Sequence, residues 1–226
     1  MTREDNIDNN KMSDKKDSTK DEDFKIVTEI EKRKEYLRKV CPEFKKFEFN
    51  ILEIISATTA IYKNYLDKIS RYSNDVNASY RRLLKFINRH NLPRAEIVEF
   101  DLFFNEIMEE FDIETCSINN LIYQLKQESK SVDFYANKLF SILETYSKNA
   151  DSAFTEKICE DSFNFRIAEM NTVKEELVDQ IFNKDAQLKW RMQVCQDIVG
   201  EFDAYVDQFI VESTTKREDS EEFRPV

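Results

Sequence analysis

The sequence predicts an all-α chain of three long antiparallel helices packed as an elongated bundle. Two observations carry that reading. Breakers are almost absent: 226 residues hold one glycine, Gly200, and three prolines, Pro42, Pro93 and Pro225. Apolar residues also recur over long stretches at the helical period. Hairpins and phosphate-cradling loops need residues that tolerate positive φ, so this composition argues against an all-β or dinucleotide-binding fold.

The first long helix is read from Phe44, Phe47, Ile51, Ile54, Thr58, Ile61, Tyr65, Ile69, Tyr72, Val76, Tyr80, Leu83 and Ile87, which is 43 residues in 12 steps. That is about 3.6 residues per step, the α-helical repeat. It ends at His90-Asn91-Leu92-Pro93, and a shorter amphipathic stretch, Phe24 to Val40, precedes it. Pro42 stands between them, at a position where a helix start tolerates proline.

A second stripe begins beyond Pro93, from Phe100 and Phe103 through Ile118 and Leu125 to Leu139 and Tyr146. Glu114 and Glu128 fall where it expects apolar residues, but neither is a breaker, so one helix is predicted across them. Ser147 to Ser152 supplies the next turn, with Asp151 or Ser152 as a helix cap. The third stripe runs from Phe154 to Phe209 and contains Gly200. Residues 1–23 are polar and charged and are expected to form a disordered tail, because they offer no apolar surface to offset the entropy of ordering. The helical domain is then 24–212, followed by a charged tail at 213–226.

Helices of this length lie far outside the ordinary range, and short connections make neighbours antiparallel. Nine aromatic residues stand off the main stripes: Phe49, Tyr62, Phe86, Phe104, Tyr123, Phe140, Phe165, Phe182 and Trp190. One intrachain seam does not cover them, and a homodimer is the simplest way to do so. Tandem spectrin-type repeats would need two further turns, whereas a BAR-like bundle needs only the two that are visible.

Three short segments carry a resemblance. They are Asp67-Lys68 with Asn74 and Asn77-Ala78, then Met170, Val173 and Lys174, then Glu218-Asp219 with Glu221 and Phe223-Arg224. Their spacing resembles the ciliary, Chibby-binding family of BAR domains, although the second helix and second turn look shorter than in that family. The resemblance implies a BAR fold, membrane association and a role at the ciliary base.

Catalytic and metal chemistry are not expected. Glu109-Glu110, Glu160-Asp161 and Glu175-Glu176 are adjacent pairs whose side chains diverge by about 100° on a helix, so they read as solvated charge. His90, the single histidine, reads as an exposed turn residue without a nucleophile to serve. Cys41, Cys116, Cys159 and Cys195 are too scattered for a thiolate zinc site and read as buried thiols of a reducing compartment. No cofactor is expected. With neither a leader-like nor a membrane-spanning apolar run, the chain is expected to be cytoplasmic and at most peripheral to membranes.

Charge supplies the sharper signal. The net charge is −11, which ordinarily argues against nucleic acid and anionic lipid alike, but 24–95 carries 16 basic and 8 acidic residues while 96–226 carries 13 and 29. On a helical wheel Arg81, Arg82, Lys85 and Arg89 fall opposite the stripe of Leu83 and Ile87, with Lys45, Lys46, Lys63 and Arg71 in the same sector. Two readings stay open. In one, this face binds anionic phospholipid and the chain is a dimeric, non-enzymatic membrane scaffold. In the other, the face pairs with the acidic helices and the chain is an adaptor that binds other proteins without lipid.

Overall fold

The computed structural model describes residues 10–149 and 153–222, and they are helical almost throughout, with no strand among them. Helix α1 is Asn10–Val40, α2 is Pro42–His90, α3 is Val98–Gln127, α4 is Ser129–Lys148 and α5 is Ala153–Glu222. A 3-10 turn, Arg94–Ile97, leads into α3. The all-α class is therefore correct, and α2 matches the first long stripe read from the sequence. The segment expected as an N-terminal tail enters α1 at Asn10, and its residues 1–9 lie outside the described residues. At the other end α5 runs to Glu222, through most of the stretch expected as a tail.

The helix expected across 94–146 is divided. Glu128 separates α3 from α4 without any breaker, because Ser131 directs both its N–H (3.0 Å) and its hydroxyl (2.6 Å) to the Glu128 carbonyl. A serine hydroxyl that competes for a backbone carbonyl tightens the turn and ends the regular ladder.

Two other joints follow ordinary capping chemistry. Between α1 and α2 the proline at the first helical position has no N–H to give, and the Cys41 thiol accepts the Phe44 N–H at 3.4 Å, as a capping serine would. At the end of α2, Asn91 adopts φ of 50°. Leu92 N–H then reaches the Ile87 carbonyl (3.1 Å) and Asn91 N–H the Asn88 carbonyl (3.4 Å), which is a Schellman closure with asparagine in the place usual for glycine.

The described residues fall into two compact units. The first draws on Met1–Ile55 and Gln127–Val178. In it α1 packs on α4: Lys34 bridges Asp133 at 2.9 Å, Arg33 donates to Asn137 at 2.9 Å, and Tyr36 meets Phe140 edge-on. Leu37, Phe44, Ile51 and Leu139 are fully buried there.

The second unit draws on Ser56–Lys126 and Asp179–Val226. Its α2 and α5 partners climb together, from Tyr65 with Asp185 (2.7 Å) to Ser79 with Asp203 (2.5 Å), so the two segments run parallel. Helix α3 runs against both. Tyr80 donates to Asp101 while Asn77 lies against Met108, and Phe100 stacks on Tyr205 while Phe103 meets Phe202. Glu114, one of the two polar interruptions of the stripe, is buried and paired with Arg191 of α5.

The nine off-stripe aromatics divide between core and surface. Tyr62 is buried, and Phe86, Phe104 and Phe140 are half-buried within the chain. Phe49, Tyr123, Phe165, Phe182 and Trp190 remain exposed, the last two at 74% and 69%. The intrachain seams are thus wider than the sequence suggested. Cys116 corrects another expectation, since it is exposed where Cys41, Cys159 and Cys195 are buried. Burial, with the Glu114 carboxylate nearby, pushes the Cys195 thiol up to about 11.

Candidate anion-binding groove

Residues 81, 85 and 89 repeat every four positions and so lie along one line of α2, while 78, 82 and 86 form the adjacent line. In the second unit these two lines meet α5. Ala78, Arg81, Arg82, Lys85, Phe86 and Arg89 form one wall of a groove of about 560 Å³, and Asp207 and Ile210 of α5 form the other. All four cations are exposed.

Their pairing is uneven. Arg82 bridges two carboxylates of α5, Asp203 at 2.8 Å and Asp207 at 2.9 Å. Among the described residues Arg81, Lys85 and Arg89 form no ion pair. Three cations in a row at i,i+4 spacing repel by about 0.2–0.5 kcal/mol per pair, an effect offset only at Arg89, which lies in the last turn of α2 where cations are favoured. The groove is thus one anchored arginine beside three cations held ready for an anion.

Only half of the face expected from the sequence is gathered here. Arg71 and Lys63 lie on α2 about 15 and 27 Å before Arg81, from the helical rise, and do not line the groove. Lys45 and Lys46 belong to the first unit, where Lys46 borders a separate hollow of about 180 Å³ with Glu43, Asn50 and Lys174. Asp203, Asp207 and Ile210 were not legible as site residues. The one available signal was the Asp203, Asp207 pair at i,i+4 on the third stripe, which marks an acidic line but not its partner.

The residues considered for catalysis stand apart from one another. Each of the three adjacent carboxylate pairs is exposed. His90 is half-buried against the Phe86 ring, with centroids 4.5 Å apart, rather than exposed in the turn. Among the described residues no cluster of three histidine, cysteine or carboxylate groups could hold a metal, and no helix is long and apolar enough to cross a membrane. No family model matches the sequence, and no curated protein or solved structure is similar to it.

Proposed function

We propose that this chain is a non-enzymatic helical scaffold that docks on anionic membrane surfaces through the groove of α2 and α5. The observation that carries the reading is the set of three cations, Arg81, Lys85 and Arg89, without an ion pair among the described residues and fixed on one line beside an arginine already paired with Asp203 and Asp207. Each basic side chain near an anionic leaflet contributes about 1 kcal/mol, so three supply about 3 kcal/mol. The acidic remainder of the chain opposes this, which makes binding modest and dependent on orientation.

The working form in this reading is a BAR-like homodimer of three long antiparallel helices. The up-down-up order of α2, α3 and α5 in the second unit supports the bundle, and the exposed Phe182 and Trp190 on α5 support a second copy. The short resemblances on the first and third long helices extend the proposal to the ciliary base. An adaptor that binds proteins without lipid is the competing reading, favoured by the double ion pair of Arg82.

Co-sedimentation of the full chain with phosphatidylserine vesicles decides between them. Substitution of Arg81, Lys85 and Arg89 by glutamate abolishes pelleting under the membrane reading, with helicity unchanged. Pelleting equal to wild type, or none by wild type at low salt, assigns the chain to the adaptor class.

A further inference from the structure

A second surface, on α3, is independent of the groove. The inward face of this helix is buried through Phe100, Ile107, Phe111 and Ile118. Its outward face carries four exposed apolar side chains, set among the polar residues Asn105, Glu109 and Asn120. Val98, Leu102, Ile113 and Tyr123 fall within about 80° of one another on the wheel, opposite the core, and are 50–63% exposed. Cys116 is exposed in the same sector. From Val98 to Tyr123 this stripe spans about 38 Å at the helical rise.

The charges among and beside these residues carry one sign. Between Val98 and Leu125 there are seven carboxylates and no lysine, arginine or histidine. Asp101, Glu99 and Glu114 are engaged by Tyr80, Tyr205 and Arg191. Glu106, Glu109, Glu110 and Asp112 are exposed and form no ion pair among the described residues. Apolar side chains left exposed along one helix face, with carboxylates among and beside them, suit a partner that brings apolar and basic side chains together.

We infer that the outward face of α3 seats a cationic amphipathic helix of a partner protein. Charge chooses the occupant. A second copy laying its own α3 here would bring the same carboxylates to the contact, and like charges across an interface are costly. A helix with leucine-like residues on one face and lysine or arginine beside them packs along the stripe, ridge into groove, and neutralises the carboxylates there.

Cys116 provides the readout. Full-length protein is titrated with a synthetic 21-residue peptide carrying leucine at heptad a and d positions and lysine on the flanks, or with the same residues scrambled. Alkylation of Cys116 is followed by mass spectrometry. The ordered peptide is expected to slow alkylation at least tenfold and the scrambled one not to. Leu102→Ser with Ile113→Ser and Tyr123→Ser is expected to weaken ordered-peptide binding at least tenfold, and Glu106→Gln with Glu109→Gln to weaken it and flatten its salt dependence. Peptide binding without Cys116 protection overturns the inference, as does equal protection by both peptides. So does protection in the unmutated protein alone that rises with its concentration, which assigns the face to a second copy.

Discussion

Arg38 grips Glu48 with two hydrogen bonds, from Nε at 2.6 Å and Nη2 at 2.7 Å, and thereby fastens the end of α1 to the first turns of α2. Glu48 is 6% exposed, so its charge depends on that partner. Removal of one member of a buried pair costs about 3–5 kcal/mol, and the part-exposed arginine lowers the figure here to about 2–3. Arg38→Ala is expected to lower stability by that amount in urea unfolding. Arg38→Met combined with Glu48→Leu is expected to recover most of it, because no charge is then stranded.

Gly200 lies within α5, and a methyl group at its Cβ position would meet nothing within 4 Å. Glycine in a helix interior is about 1 kcal/mol less favourable than alanine. Gly200→Ala is therefore expected to stabilise the chain by about 1 kcal/mol, read as a rise in the thermal midpoint. A fall would mean that α5 bends or packs at this point against something beyond the single chain.

The groove was half legible in the sequence, and the reason is geometric. A wheel drawn on α2 places Arg81, Lys85 and Arg89 together because they share a helix. It does not reveal that Asp203 and Asp207, more than 120 positions later, meet Arg82, since register between helices depends on every side chain packed between them. The same applies to Glu114, which interrupts an apolar stripe and is matched by Arg191 on another helix. The fold class needed only period and breakers, and both are local. The break at Glu128 is local too, but it is written in Ser131 rather than in glycine or proline, so a search for breakers passes over it.

Arg82 ties ion pairing to binding in the groove. Its bridges to Asp203 and Asp207 are about half-exposed, where such pairs contribute about 1 kcal/mol or less each. Arg82→Ala is expected to cost about 1 kcal/mol of stability and also to weaken vesicle binding, because it frees two carboxylates beside Arg81 and Lys85. Wild-type pelleting is expected to fall between 50 and 300 mM salt (about a twofold drop in screening length). A salt-independent interaction would point to an apolar contact.

Stability is expected to fall at alkaline pH. Burial, assisted by Asp101, pushes the Tyr80 hydroxyl up to about 12, and burial with Asp185 raises Tyr65 further. Cys195 is held up at about 11. In each case the unfolded chain loses its proton first, near the ordinary values of about 8.5 for cysteine and 10 for tyrosine. The contribution of these groups is thus complete below pH 8.5 and is lost as pH rises through the folded values. Urea midpoints measured from pH 7 to 11 check this, and Cys195→Ala with Tyr80→Phe is expected to flatten the upper part of the curve.

The parallel course of α2 and α5 sets an order of assembly. Contacts of α2 with α3 link residues 21 and 35 positions apart, whereas those of α2 with α5 link residues 120 and 124 apart. Two doublings of loop length add about 1.2 kcal/mol to closure, so the hairpin of α2 and α3 forms first and α5 docks late. A change at Phe202 then acts mainly on the unfolding rate, while one at Val76 or Ile107 slows folding itself.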